Sequence, residues 1–253
     1  MMDSIDVVLL TKNSAQTLPK CLDALYKNVP VHRLIIVDGY STDNTLTIIK
    51  KYCQIHNHHN VTIIFDNGTR ASARQKGIQV VQTEWFLFLD SDVVLCHDWF
   101  KKATKNVEPH IGAIWGIEVW STIKNPKTLK LFLIVTRKIF EIRGGTHDTL
   151  IRSKLVKDIK IPNNLHVFED TYIKEHITKK GYKTLACYDP FCIHYRTSSV
   201  WTIKGSLNLI TESLQAGNPR LISKLLLAYS FYTTYSIYQI FTNNKTTHTV
   251  STC

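Results

Sequence analysis

Two carboxylates, Asp90 and Asp92, stand one residue apart directly after an apolar run at residues 85–89. A run of this length, rich in aromatic residues, is typical of a strand buried on both faces of a parallel sheet. Open α/β sheets bind their ligands at the carboxyl ends of such strands. Carboxylate oxygens placed there can hold a hard divalent cation, and the cation can hold phosphates. The alternative is a polar turn, since Asp and Ser both favour turns.

The elements that must position these carboxylates alternate between β and α patterns over the first hundred residues. Apolar runs predict strands at residues 7–10, 34–37, 61–65 and 85–89. Helical spacing and N-cap residues predict helices between them at 15–27, 41–51 and 71–81. This βαβαβαβ order predicts a parallel sheet with right-handed crossovers, which is a Rossmann-like nucleotide-binding half.

The rest of the chain is less regular. Strands are predicted at residues 111–120, 146–152, 183–187 and 191–194, and helices at 129–142 and from about 168 to Gly181. Residues 221–241 form a further predicted helix, rich in aromatic residues but too polar to predict a membrane span. Its composition suits a membrane interface, and packing on the domain or on a partner subunit is the alternative.

The charge and cysteine content limit the function classes. With 31 Lys and Arg against 20 Asp and Glu, the net charge is +11, which suits polyanions such as nucleic acid, an anionic membrane or phosphorylated small molecules. The basic residues are scattered and accompany no zinc-finger or RNP-like motif, which disfavours nucleic acid. Six cysteines without a CxxC pair, and an N-terminus without a signal peptide, predict a cytoplasmic protein with reduced thiols. Contact with the cytoplasmic face of a membrane is a further expectation.

Several separated segments resemble the family 2 glycosyltransferases, which have the A-type glycosyltransferase fold. In chain order the segments lie at residues 9–13, 36–45, 70–77, 88–92 and 168–170. The resemblance spans roughly residues 5–197 and rests on the order and spacing of the segments. It implies an α/β fold with a Rossmann-like, mostly parallel sheet flanked by helices. The expected organisation is a nucleotide-binding half at 1–96, an acceptor half at 97–197 and a helical C-terminal appendage at 198–253.

The resemblance implies a binding site for a nucleotide sugar, a UDP- or GDP-sugar, in the first half. Thr11 and Asn13 would meet the base or ribose, and Asp38 would accept a hydrogen bond from the base. Arg74 would hold nucleotide or diphosphate oxygens through its planar guanidinium. A capping turn at Asp38 and a solvated helix face at Arg74 are the alternatives. Asp43 is assigned to helix capping.

The resemblance also implies a bound Mg²⁺ or Mn²⁺. Asp92 would bind the cation directly, while Asp90 would contact the ribose or the metal. His194 falls where many relatives supply a third metal ligand late in the chain, and a structural core histidine is the alternative. A divalent cation suits this chemistry because the nucleotide diphosphate gains negative charge as it leaves the sugar.

The acceptor half carries an acidic pair, Glu169 and Asp170, that resembles the catalytic base of inverting members. Asp170 is assigned as the base that takes the proton of the acceptor hydroxyl. Glu169 would orient the acceptor or serve as the base in place of Asp170. The alternative is that both acids stabilise a helix N-terminus. His147 and Asp148 follow the glycines at residues 144 and 145 and are expected to contact the acceptor sugar.

Two departures from the family pattern narrow these expectations. In the family a second acid often follows the one at Asp38, but Gly39 and Tyr40 stand there in this chain. The identity of the nucleotide base is therefore left open. No Gln-x-x-Arg-Trp motif follows Asp170, which favours transfer of a single sugar.

We therefore expect an inverting, metal-dependent transfer to a glycan or lipid-phosphate acceptor presented at a membrane. The alternatives are a polyprenyl-phosphate sugar synthase and a non-catalytic, Rossmann-like basic binding protein. Nucleotidyl transfer lacks support, since no Gly-rich phosphate loop lies near the N-terminus.

Overall fold

The computed structural model describes residues 2–55, 60–121, 126–166 and 168–195, and seven helical positions further on, at 211, 212, 214, 223, 226, 230 and 234. The chain divides into two compact units, Met1–Arg196 and Thr197–Cys253. Most of the helix predicted over 221–241 lies outside the described residues, although its four described positions are helical. Among the described residues, all strands belong to the first unit.

The first unit contains eight strands and six helices among its described residues. In chain order they are β1 (Ile5–Thr11), α1 (Leu18–Asn28), β2 (Val31–Asp38), α2 (Thr45–Ile55), β3 (Val61–Phe65), α3 (Arg70–Val80), β4 (Trp85–Asp90), β5 (Val93–Leu95), α4 (Trp99–Thr104), β6 (Ile111–Trp120), α5 (Pro126–Arg143), β7 (Asp148–Arg152), α6 (Glu169–Lys179) and β8 (Lys183–His194). The strands form one sheet in the order β3-β2-β1-β4-β7-β6-β8-β5.

The predicted parallel half of the sheet is confirmed. β1 pairs in parallel with both β2 and β4, and β2 pairs in parallel with β3. The register aligns Thr11 with Asp38, and Leu10 with Asp90. Asp38 in turn aligns with Phe65, the last residue of β3. Because parallel strands end at the same edge, the polar residues that follow or end these strands meet there.

The second half of the sheet reverses direction at β7. This strand is antiparallel to both β4 and β6, whereas β6 and β8 run parallel to each other. The two strands predicted at 183–187 and 191–194 are one strand, β8, whose register against β6 shifts between Gly116 and Ile117. The short elements β5 and α4 were not predicted. β5 pairs antiparallel with the end of β8, with Val93 opposite His194, and so brings that histidine beside Asp92.

Burial of apolar side chains on both faces of the sheet explains the strand sequences. Phe86, Leu87, Phe88 and Leu89 of β4 are all fully buried, as an apolar run in a central strand requires. The rings of Phe86 and Phe88 meet edge to face, with centroids 4.9 Å apart. On one side, α1 packs its Leu18, Leu22 and Leu25 into the core, which is the face that the helical spacing predicts.

Helix α3 approaches the sheet closely at Gly77. A Cβ atom at this position would lie 2.4 Å from Cγ1 of Val8 in β1, which is too close for any side chain. Arg74 lies on the same helix, one turn earlier, and is itself buried. The glycine therefore sets the depth at which α3, and with it Arg74, packs on the sheet.

Gly77→Ala is expected to lower the free energy of unfolding by about 1–3 kcal/mol, because the added methyl overpacks a filled core. Adding Val8→Ala should recover part of this loss, since it removes the atoms that the new methyl meets. Urea denaturation of both single variants and the double variant measures the coupling energy. Additive losses in the double variant would show that the helix does not depend on this contact.

Candidate active site

The carboxyl edge of the parallel strands gathers a buried carboxylate at Asp38. One of its oxygens accepts a hydrogen bond from the backbone N–H of Ser41 at 2.8 Å. The other accepts from the hydroxyls of Thr11 at 2.8 Å and Ser41 at 2.6 Å. Thr11 and Asp38 thus come together as the sequence predicts. The three contacts order the loop after β2, and the role of Asp38 toward a base stays a prediction.

The loops after β1 and β2 are joined by side chains from each. Asn13 has a positive φ of 51°, and its side-chain oxygen accepts the N–H of Thr42 at 2.8 Å. Asp43 accepts the N–H groups of Thr45 at 2.9 Å and of Ala15 at 3.1 Å. The hydrogen bond from the Thr45 hydroxyl is the main reason that the pKa of Asp43 is lowered. Asp43 therefore caps α2, as predicted, and Asn13 holds the loop.

Sequence reasoning missed Asp66, which directly follows β3, whereas Asp38 is the last residue of β2. Its backbone N–H donates to the carbonyl of Asp38 at 2.9 Å. Its Oδ2 atom is buried without a hydrogen-bond partner among the described residues. Beside it lie two exposed aromatic rings, Tyr40 (59% exposed) and Phe65 (44% exposed), with centroids 5.3 Å apart. An acid directly after a parallel strand was the signal in the sequence that could have identified this position.

Arg74 connects Asp90, at the end of β4, to Glu169 of the acidic pair. Only 2% of the residue is exposed, and its Cζ lies 5.0 Å from the ring centroid of Phe88. Nη2 donates to Asp90 at 3.0 Å, while Nε donates to Glu169 at 3.4 Å. Nη1 is buried and has no hydrogen-bond partner among the described residues.

The ionised form of Asp90 is stabilised by its surroundings. Burial acts to raise the pKa of this carboxyl, but the guanidinium groups of Arg74 and Arg70 outweigh it and lower the pKa. The same charges act on Arg74, where Asp90 and Glu169 overcome the effect of burial and raise the pKa of the guanidinium. Both partners therefore carry their charge at neutral pH.

Asp92 and His194 meet at the end of β8. The Nε2 atom of His194 lies 3.0 Å from Oδ2 of Asp92, whose side chain is 38% exposed. The Nδ1 atom of the same ring lies 2.6 Å from Oε2 of Glu118, which is buried in β6. An imidazole and an accessible carboxylate form a donor set that suits a divalent cation. Glu118 was missed, although a single acid inside the apolar run 111–120 required a buried partner.

The acidic pair opens helix α6, where the helix dipole favours negative charge. Asp170 is buried and forms an ion pair with Arg143 of α5, with Nε 3.0 Å from Oδ2. Its Oδ1 accepts the backbone N–H of Thr171 at 2.7 Å. Burial raises the pKa of Asp170 to about 6, while Arg143 acts to lower it. A carboxyl with this pKa is partly ionised near neutral pH and can exchange a proton there.

His147 and Asp148 lie inside the sheet, at the junction of β7 with β4 and β6. Asp148 is fully buried, and its Oδ2 accepts hydrogen bonds from the indole N–H of Trp99 at 2.8 Å and the N–H of Gly116 at 3.2 Å. His147 Nε2 lies 3.1 Å from Asp148 Oδ1. Burial raises the pKa of Asp148 and lowers that of His147 to about 4. These positions anchor α4 and the sheet, and their predicted contact with an acceptor stays a prediction.

A third potential ligand lies beside this pair. Cys192 Sγ, His147 and Asp148 offer atoms that all lie within 4.8 Å of one another. All three residues are buried, and burial raises the pKa of the Cys192 thiol well above its ordinary value. The three side chains therefore form a second candidate metal site, buried in the sheet, in addition to the donor set of Asp92 and His194.

The family model described as glycosyl transferase family 2 matches residues 6–203. The chain therefore belongs to glycosyl transferase family 2. A curated relative, the poly(ribitol-phosphate) beta-glucosyltransferase of Bacillus spizizenii, is 26% identical over 202 residues, which cover 73% of this chain and 31% of the relative. The putative teichuronic acid biosynthesis glycosyltransferase TuaG of Bacillus subtilis is 38% identical over 63 residues, a quarter of each chain. The chain thus matches less than half the length of these relatives.

Solved structures share the fold at lower identity. The mannosyltransferase PcManGT from Pyrobaculum calidifontis, in complex with GDP-Man and Mn²⁺, superposes with a TM-score of 0.67 at 18% identity, covering 98% of this chain and 76% of the other. S. aureus TarS 1–349 in complex with UDP-GlcNAc superposes with a TM-score of 0.59 at 21% identity, covering 82% of this chain and 65% of the other. The expected A-type glycosyltransferase fold is confirmed.

No helix among the described residues combines the length and the apolar character that crossing a bilayer requires.

Proposed function

We propose that this protein is an inverting, metal-dependent glycosyltransferase that moves one sugar from a nucleotide-diphosphate sugar to an acceptor hydroxyl. The observation that carries the proposal is the double contact of Arg74, which donates to Asp90 on the donor side and to Glu169 in the acidic pair. This contact places the carboxylates suited to a nucleotide diphosphate next to a carboxylate suited to take a proton. Family 2 membership and the nucleotide-sugar complexes of PcManGT and TarS support the same reading.

The nucleotide is assigned to the edge formed by β1, β2 and β3. Asp38 and Asp66 offer acceptor oxygens at neighbouring positions, and a carboxylate reads the ring N–H of uracil or the N–H groups of guanine. Tyr40 and Phe65 offer exposed rings on which a base can stack. Thr11 and Asn13 hold the loops at this edge of the sheet. Both UDP- and GDP-sugars fit this chemistry.

The diphosphate is assigned to Asp92, His194 and Arg74. Asp92 and His194 would hold Mn²⁺ or Mg²⁺, with Asp90 on its ribose side, and the bound cation would neutralise the charge of the leaving diphosphate. Arg74 adds a fixed positive charge that remains in place when the nucleotide departs.

Asp170 is assigned as the base. An acceptor hydroxyl is a weak nucleophile, and a carboxylate within hydrogen-bond reach can take its proton as the oxygen attacks the anomeric carbon. The hydroxyl oxygen then forms the new bond on the face opposite the departing diphosphate, which inverts the anomeric centre. Arg143 and the N–H of Thr171 hold the carboxylate in place, and Glu169 orients the acceptor from its contact with Arg74.

The acceptor is assigned to a membrane-presented or lipid-linked glycan. A net charge of +11 favours a surface or polymer that carries phosphate groups. The relative from Bacillus spizizenii is named for poly(ribitol-phosphate), a polymer that carries phosphate groups. His147 and Asp148 are buried and support this half of the sheet, and their contact with the acceptor stays a prediction.

A nucleotide diphosphate is expected to raise the melting temperature, and more strongly with Mn²⁺, because a ligand that binds only the folded state stabilises it by about 2.7 kcal/mol at 100 times its dissociation constant. Thermal-shift measurements with UDP, GDP and their sugars, with and without Mn²⁺, test this. Asp92→Ala should lose the Mn²⁺-dependent part. Asp158→Ala, which removes an exposed carboxylate paired with Lys180, is the matched control. The absence of any shift in the unmodified protein would refute the donor assignment.

Asp170→Asn is expected to lower kcat for transfer to a hydroxyl by about 10²- to 10⁴-fold, because the amide cannot take a proton. Binding of the donor should be retained, since Asp170 lies on the acceptor side. Steady-state kinetics and thermal shift on the same preparation separate the two effects. Near-normal turnover of the variant would contradict the role of Asp170 and would favour a polyprenyl-phosphate acceptor, whose oxygen is already ionised.

The rate of transfer is expected to fall as the pH drops through about 6, because burial raises the pKa of Asp170 to about 6 and only the ionised carboxylate accepts a proton. Since Arg143 acts to lower this pKa, Arg143→Gln should move the acid limb upward by about one pH unit. Arg137→Gln on the same helix, whose partner is Glu141, should leave the limb in place. Profiles of kcat/KM against pH that coincide for Arg143→Gln and the unmodified protein would count against this assignment.

A further inference from the structure

Glu118 is a buried acid in the otherwise apolar strand β6, and only 2% of it is exposed. Because removing a carboxylate from water costs free energy, a buried one requires hydrogen-bond donors. Oε1 accepts the indole N–H of Trp120 at 2.8 Å. Oε2 lies 2.6 Å from Nδ1 of His194. Each oxygen thus faces a different side chain, and the carboxylate is held from both ends.

The contact between His194 and Glu118 requires a proton on Nδ1 of the histidine ring. A carboxylate only accepts hydrogen bonds, so Nδ1 must donate. Nε2 lies 3.0 Å from Asp92, whose carboxylate also only accepts, so a cation that binds there replaces the proton that Nε2 shares with Asp92. Because Glu118 keeps the proton on Nδ1, Nε2 is then the nitrogen that offers its lone pair to the cation. A histidine that binds a metal through one nitrogen commonly donates the other N–H to a carboxylate, which fixes both the tautomer and the ring orientation.

We propose that Glu118 is a positioning residue that keeps the proton of His194 on Nδ1 and so directs the Nε2 lone pair to a Mn²⁺ ion shared with Asp92. The metal part of this proposal rests on the proposed function, whereas the position of the proton is a property of the metal-free protein. A nitrogen ligand also favours Mn²⁺ over Mg²⁺, because Mg²⁺ strongly prefers oxygen.

Trp120 explains why the position requires an acid and not an amide. Glutamine offers one acceptor oxygen, whereas Trp120 and His194 each need an acceptor. In Glu118→Gln, an amide oxygen turned to Trp120 leaves the NH₂ group facing Nδ1, which must then give up its proton. In the alternative orientation the amide oxygen faces His194, and the amide NH₂ and the indole N–H of Trp120, both donors, face each other. Removing the indole N–H resolves this conflict, so Trp120→Phe should rescue Glu118→Gln.

The test measures Mn²⁺ affinity and the His194 proton in four proteins: unmodified, Glu118→Gln, Trp120→Phe and the double variant. Mn²⁺ alone is titrated and the free ion followed by electron paramagnetic resonance, with His194→Ala as the reference for loss of the site. Nitrogen-15 NMR of labelled histidine, without metal, reports whether Nδ1 is protonated. We expect Glu118→Gln to weaken Mn²⁺ binding by about 10- to 100-fold and to deprotonate Nδ1. Trp120→Phe should retain both properties, and the double variant should recover both.

Equal Mn²⁺ affinity and a protonated Nδ1 in Glu118→Gln would overturn the proposal, as would a double variant no better than Glu118→Gln. A merely structural role predicts loss without rescue, and thermal melting of each variant identifies a folding defect. Sugar transfer assayed on the same proteins separates this proposal from the proposed function. Mn²⁺-dependent transfer with no effect of Glu118→Gln on Mn²⁺ affinity refutes only the role of Glu118. The expected affinity and NMR pattern without any transfer refutes only the proposed function.

Discussion

The buried guanidinium of Arg74 lies between a carboxylate at the end of β4 and one at the start of α6, and the candidate active site depends on it. Asp90 ends a strand of the parallel half, whereas Glu169 opens α6 in the second half. Without a cation between them, these acids and Asp170 would repel one another in a region of low dielectric. A buried ion pair is not a large source of net stability, because desolvation offsets most of the attraction. Its consequence here is geometric, since it brings the donor side and the acidic pair together.

His194, at the end of β8, makes a second connection between the second half of the sheet and the turn after β4. β8 runs parallel to β6, and its last residue reaches Asp92 because β5 pairs with the end of β8. Glu118 contacts Nδ1 of the histidine, and Asp92 contacts Nε2. Arg74 and His194 therefore each contact one carboxylate of the Asp90–Asp92 turn. These two contacts, with the hydrogen bonds of Ser91 to Ser14 and of Tyr195 to the Asp92 carbonyl, are long-range constraints on the turn.

The predictability of the site varied with the range of the interactions. The strands of the parallel half, and the meeting of Thr11, Asp38 and Asp90 at one edge, could be predicted because apolar runs and parallel order determine them locally. The capping role of Asp43 could be predicted for the same reason. The antiparallel β7, the short β5 and the continuous β8 could not, since their pairing depends on partners far along the chain. Glu118 and Asp66 each left a signal in the sequence, an acid inside an apolar run and an acid after a strand, but their partners lie far along the chain and only the fold shows them.

By itself, the sequence determined the Rossmann-like half, the family and the set of acids that end or follow its strands, because hydrophobic periodicity and short motifs are local properties of the chain. It also determined that Glu169 and Asp170 open a helix, since their position ahead of the apolar pattern required it. Only the tertiary structure decided which acids face a cation, a histidine or the interior. Burial and ion pairing decide the charge and the role of each carboxylate, and both arise only when distant strands pack together.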